Sequence, residues 1–142
     1  MDFSLRCAYA HGTKAMRTHI DSADDLAASS FDVVAKLQKK WEGKIALQAS
    51  CLVAIDRVFR TKDIFPEVAK LVAETRNVLG AVTYPVPDLQ ERLNDFFYFA
   101  QKYDLDVDFH VDETNDPTSD TLRTIAETVL ALGFKNKVTV GR

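Results

Sequence analysis

The feature that most constrains this chain is a strand-then-helix alternation that repeats about every 30 residues. Short apolar segments at 15–21, 44–53, 80–86, 107–111 and 137–140 read as strands. Between them lie segments whose apolar residues recur at helical spacing. Strands that alternate with helices pair in parallel and connect by right-handed crossovers.

The punctuation agrees. Residues 3–11 read as a helix closed by Gly12. Ser22 to Asp25 form an acidic cap cluster for a helix that runs to Trp41, ends in Lys39 and Lys40, and has Gly43 just beyond. A third helix is expected over 61–78, with Pro66 in its first turn and Ile64, Val68, Leu71 and Val72 on one face. A fourth is expected over 87–103, burying Leu89, Leu93, Phe96, Phe97 and Ala100. A fifth spans 118–132, with Leu122, Ile125, Ala126, Val129 and Leu130 inward and Gly133 as its stop.

The expected fold class is therefore α/β, a parallel sheet of about five βα units in one domain over residues 1–142. Two architectures fit: a closed doubly wound sheet of the flavodoxin kind, or part of a (β/α)8 barrel, which needs about 250 residues. A chain that opens on a helix and closes on a bare strand favours the second.

Composition narrows the function classes. With 18 basic and 21 acidic residues the net charge is −3, which argues against a nucleic-acid surface and gives no attraction to an anionic membrane. The start, Met1 to Arg6, has neither the charged head nor the apolar stretch of a secretory signal. A cytoplasmic location is expected, with Cys7 and Cys51 as buried thiols. The glycine-loop, nucleophile-elbow and small zinc deaminase motifs are all missing.

The richest stretch is Asp106 to Asp116. Functional residues of parallel α/β folds collect at the carboxyl ends of strands, and His110 falls there with Glu113 just after it. A neutral imidazole is a natural metal ligand, and a carboxylate three residues on can move a proton to or from water. Arg17, His19 and Asp21 share one face of the first strand, as a pocket wall or a salt-bridged layer. His11 is expected to cap the first helix. Phe96 to Phe99 read as helix core, and Lys36, Lys39 and Lys40 as a solvated face.

Taken together, these pieces resemble the interior of a bacterial cytosine deaminase-like member of the metal-dependent amidohydrolase superfamily. The matching stretches are Arg17-Thr18-His19-Ile20-Asp21, Phe99-Ala100-Gln101-Lys102-Tyr103-Asp104, Val107-Asp108-Phe109-His110-Val111-Asp112-Glu113, Thr124-Ile125-Ala126-Glu127-Thr128 and Lys137-Val138-Thr139-Val140. The resemblance implies a partial (β/α)8 barrel comprising strands two to six and lacking the first and the last two.

It implies one divalent metal, zinc or iron, that activates water against a cyclic amine or amidine, with ammonia released. His110 matches the family's strand-five histidine ligand and Glu113 its acid/base. The family's other ligands lie on strands this chain does not contain. Where the family places a histidine after a glycine on strand six, this chain has Gly141-Arg142. No glutamine stands near Leu52 to Ile55 where cytosine-specific members bind the pyrimidine. The isolated chain is therefore expected to bind no metal of its own and to be inert. A full-length parent is expected to be a homo-oligomer acting on a small molecule, with neither nucleic acid nor membrane as partner. The alternative is a non-catalytic flavodoxin-like domain that binds a small ligand or anion.

Overall fold

The computed structural model describes residues 1–141; Arg142 lies outside the described residues. The element order is α1 (Asp2–Ala10), β1 (Ala15–Asp21), α2 (Ala27–Lys40), β2 (Ala46–Ala54), a short 3-10 turn (Ile55–Arg57), α3 (Phe65–Glu74), β3 (Leu79–Thr83), α4 (Leu89–Lys102), β4 (Val107–Val111), α5 (Thr121–Leu132) and β5 (Val138–Gly141). All strand pairs are parallel and the sheet order is β1-β2-β3-β4-β5.

That sequential order separates the two architectures. A doubly wound sheet reverses direction at a switch point and places helices on both faces. Here the winding never reverses, so the flavodoxin-like alternative is excluded.

The sheet is also curled. Arg17 on β1 donates from Nη1 to Thr139 Oγ1 on β5 at 3.2 Å. Four strand spacings in a flat sheet amount to about 19 Å, more than these two side chains can bridge. Strong curling brings the first and last strands within reach of one guanidinium. Five parallel strands thus form an arc of a (β/α)8 barrel.

Parity divides each strand between two environments. Phe109 on β4 faces the helices, where it packs on Phe96 and Phe97 of α4 with ring centroids 4.6 and 5.9 Å away. Phe65 of α3 joins the group against Phe96 and Phe99. All five rings are buried, each contributing about 1.5–3 kcal/mol. Tyr98 alone of the aromatic run turns outward, stacked under Arg60. A smaller cluster of Leu5, Leu37, Trp41 and Ile45 fastens α1 and α2 to the foot of the sheet.

Several expectations are corrected. α3 starts at Phe65 rather than 61, because Asp63 adopts φ 62° and is held by both arms of Arg57 at 3.2 and 2.7 Å. It ends at Glu74, just before Arg76 at φ 54°. On α5, Ile125 is buried, but Ala126 is exposed, as are Leu122 (46%) and Leu130 (81%). α5 packs on α4 along one flank, and no helix among the described residues covers the other. Cys7 is exposed, not buried, whereas Cys51 is buried; burial pushes its thiol up to about 12.

Candidate active site at the strand tips

Paired residues in a parallel sheet share a face, so the register defines the inner wall. Arg17 pairs with Gln48 and His19 with Ser50 between β1 and β2. Asp108 and His110 of β4 pair with Gly80 and Val82 of β3 on one side, and with Thr139 and Gly141 of β5 on the other. The hydrogen bonds of Arg17 to Gln48 and Asp108 show that all these positions face the concave side.

His110 and Glu113 come together at its carboxyl mouth. His110 Nδ1 lies 3.3 Å from Glu113 Oε1. The imidazole is largely shielded and the carboxylate is half exposed, which suits a ring held in place beside a carboxylate open to solvent. A carboxylate at Nδ1 favours the proton on that nitrogen and leaves the Nε2 lone pair free.

The turn that aims Glu113 is built by the preceding residue. Asp112 takes φ 51°, which aspartate tolerates better than most residues. Its carboxylate accepts from Ser119 Oγ at 2.5 Å, from Thr121 Oγ1 at 2.9 Å and from the Thr121 amide at 2.9 Å. Burial alone would raise this carboxyl. The donated hydrogen bonds outweigh it and hold the group below its usual range. Asp112 thereby locks the start of α5 to the end of β4.

Below the mouth lies a charged layer. Arg17 Nη1 donates to Asp108 Oδ2 at 2.5 Å, and Arg17 Nε to Gln48 Oε1 at 2.9 Å. His19 Nε2 stands 3.6 Å from the same Asp108 oxygen, and its ring meets His110 edge to face with centroids 4.4 Å apart. Of the expected trio, Arg17 and His19 join this layer; Asp21, on the same face, is exposed and has no part in it.

No motif in the sequence singles out Asp108. Its only sequence signal is parity with His110, two positions on. A second overlooked pair is Asp56 and Tyr84, which follow β2 and β3 two positions beyond the last paired residues. Burial, then the hydrogen bond with Asp56, pushes the Tyr84 hydroxyl up to about 12. Away from the site, His11 caps α1 as expected, its Nδ1 2.8 Å from the Cys7 carbonyl.

Catalytic zinc takes about three protein ligands plus an open position. Among the described residues, no group of three or more His, Cys, Asp or Glu side chains is arranged to hold a metal ion. No helix among the described residues is long and apolar enough to cross a membrane.

The arc carries an imidazole and a carboxylate at its carboxyl mouth, and known proteins are similar to this chain in sequence and in fold. The chain is 44% identical over 142 residues to a pterin deaminase of Rhizobium rhizogenes, a match covering 99% of this chain and 32% of the relative. It therefore spans about a third of the length of that curated relative. No family model matches it.

Among solved structures, a 5-methylcytosine deaminase of Klebsiella pneumoniae bound to 5-fluorocytosine superposes with a TM-score of 0.75 at 21% identity, over 97% of this chain and 34% of that one. An N-isopropylammelide isopropylaminohydrolase of Burkholderia multivorans gives 0.72 at 23% identity, over 96% and 36%. At these identities the structures establish the fold, a partial (β/α)8 barrel. The likeness to deaminases read in the sequence is met by the match to the pterin deaminase, while the solved structures bear on the fold alone.

Proposed function

We propose that residues 1–142 are the central third of a metal-dependent hydrolytic deaminase acting on the amidine carbon of a small cyclic substrate, with a pterin-like aminopyrimidine as the first candidate. The observation that carries this is the 3.3 Å approach of His110 and Glu113 at the carboxyl mouth of the arc. The pterin deaminase match supports the substrate class.

In this proposal His110 gives one ligand to a zinc or iron ion whose other ligands come from outside these residues. Such an ion, when bound, supplies an acidified water. Glu113 takes one proton from the attacking water and delivers it to the ring nitrogen, then takes a second from the added hydroxyl and delivers it to the leaving amine. A C–O bond forms, the exocyclic C–N bond breaks, and ammonia departs. That role requires a carboxylate within hydrogen-bond reach of both water and substrate. The half-exposed position of Glu113 beside a fixed imidazole supports it.

Two measurements test this. Zinc titrated into the 142-residue chain by calorimetry is expected to show no tight one-to-one site; such a site, abolished by His110→Ala, would mean that the chain holds more ligands than assigned. Second, residues 1–142 are grafted in place of the matched third of the Rhizobium rhizogenes enzyme. The folded chimera is assayed for ammonia release on pterin, triazine and pyrimidine substrates. Turnover of pterin is expected; a folded, metal-loaded chimera that turns over none of them overturns the proposal.

A further inference from the structure

His19 has no task in the reaction proposed above, yet it touches the residue on which that reaction depends. β1 and β4 are separated by two strands, so this contact exists only because the sheet curls. The His110 ring has a bearing on each of two sides: the Glu113 carboxylate at Nδ1, and the His19 ring edge to face at 4.4 Å. Rotation about the last side-chain bond of histidine is soft and broadly two-fold. One polar contact leaves the ring free to tilt about it, and a second contact from another direction removes that freedom.

His19 is in turn backed by a carboxylate. Asp108 Oδ2 lies 3.6 Å from its Nε2, too long for a hydrogen bond but in contact with that edge of the ring. Asp108 cannot drift, because its side chain is buried and receives the Arg17 guanidinium, which is itself tied to Gln48 and Thr139.

We propose that His19 is a positioning residue that fixes the plane and tautomer of the His110 imidazole, with Asp108 and Arg17 holding it from behind. Its importance for metal binding rests on the proposed ligand role of His110; its effect on the ring does not. Partners that orient a ligating histidine are worth about 10–100-fold in metal affinity.

The test is imidazole nitrogen NMR on the 142-residue chain at one fixed pH, with His110 assigned by its loss in His110→Ala. The unsubstituted chain is expected to show one dominant His110 tautomer, protonated at Nδ1. His19→Ala is expected to lose that pattern to tautomer averaging, while His19→Phe, which keeps an aromatic edge, retains it. In the chimera, zinc affinity by chelator competition is expected to fall about 10–100-fold in His19→Ala and to recover in His19→Phe.

An unchanged His110 pattern in a cooperatively folded His19→Ala overturns the inference. Should His19→Ala not fold, His19→Phe decides: retention of the pattern supports the inference and its loss overturns it. A chimera that binds no zinc while His110 keeps its His19-dependent pattern would sink the proposed function and leave this inference standing.

Discussion

Replacing Arg17 by methionine tests whether the charged layer closes the arc. The methionine retains most of the aliphatic stem and removes the guanidinium. Asp108, only 6% exposed, then loses its guanidinium partner and keeps only the His19 ring at 3.6 Å among the described partners. Breaking a buried ion pair from one side costs about 3–5 kcal/mol, because a charge is left uncompensated. Arg17 is 29% exposed, and water reaching that end of the pair weakens the interaction. We therefore expect a loss of about 2–3 kcal/mol, or a fall in Tm of very roughly 6–9 °C for a chain of this size.

The double substitution Arg17→Met with Asp108→Asn removes the orphaned charge and is expected to recover at least half of that loss; with Asp108→Asn alone as the fourth corner, the cycle isolates the coupling. Urea titration followed by far-ultraviolet circular dichroism measures each variant. A change within about 0.5 kcal/mol for Arg17→Met, the behaviour of an ordinary surface substitution, would refute the reasoning and with it the role of Arg17 in joining β1 to β4 and β5.

Other expectations are more local. A Cβ at Gly80 would lie 2.2 Å from the Cys51 carbonyl oxygen and 2.4 Å from Ser50 Oγ; since the first is backbone, Gly80→Ala should cost about 3 kcal/mol or more, and an unchanged Tm would contradict the strand packing described. Asp2 accepts from Trp41 Nε1 and pairs with Lys40 and Arg6, which lowers its carboxyl from 3.8 to about 2. A depressed carboxylate stabilises the fold above its unfolded value and loses that contribution as pH falls through the folded one. Between about pH 4 and 2, Asp2→Asn should show a shallower drop in urea midpoint than the parent chain, with fluorescence of Trp41, the single tryptophan, as reporter. Among the described residues the outer edges of β1 and β5 have no strand partner, and α5 exposes Leu122 and Leu130. Such edges invite association, so sedimentation should reveal self-associated species; a monodisperse monomer with a cooperative thermal transition argues otherwise.

The element order was readable from periodicity because every helix but the first sits between two strands and must bury one stripe against the sheet. Residues 15–21 and 107–111 came out with correct ends, since polar breaks flank both strands. Where Asp63 takes a left-handed conformation, apolar spacing carries no trace of it, so the spacing predicts α3 too long. On α5 the spacing marks which residues are apolar, not whether a neighbour covers them, and Leu122 and Leu130 are exposed despite it. His110 and Glu113 were legible through their position at a strand end. Asp108 was not: its meaning depends on Arg17, 91 residues away, and on a curl that brings β1 over β4.

The most direct test of the account is Glu113→Gln in the chimera, with pterin as substrate and bound zinc measured beside the turnover rate. The substitution keeps shape and removes the proton acceptor. The account predicts that zinc content stays at the parent level while kcat falls by about 10²–10⁴-fold, whereas His110→Ala loses the metal itself. If Glu113→Gln turns over pterin at the parent rate with its zinc in place, the proton passes through some other group and the assignment of this strand end is wrong.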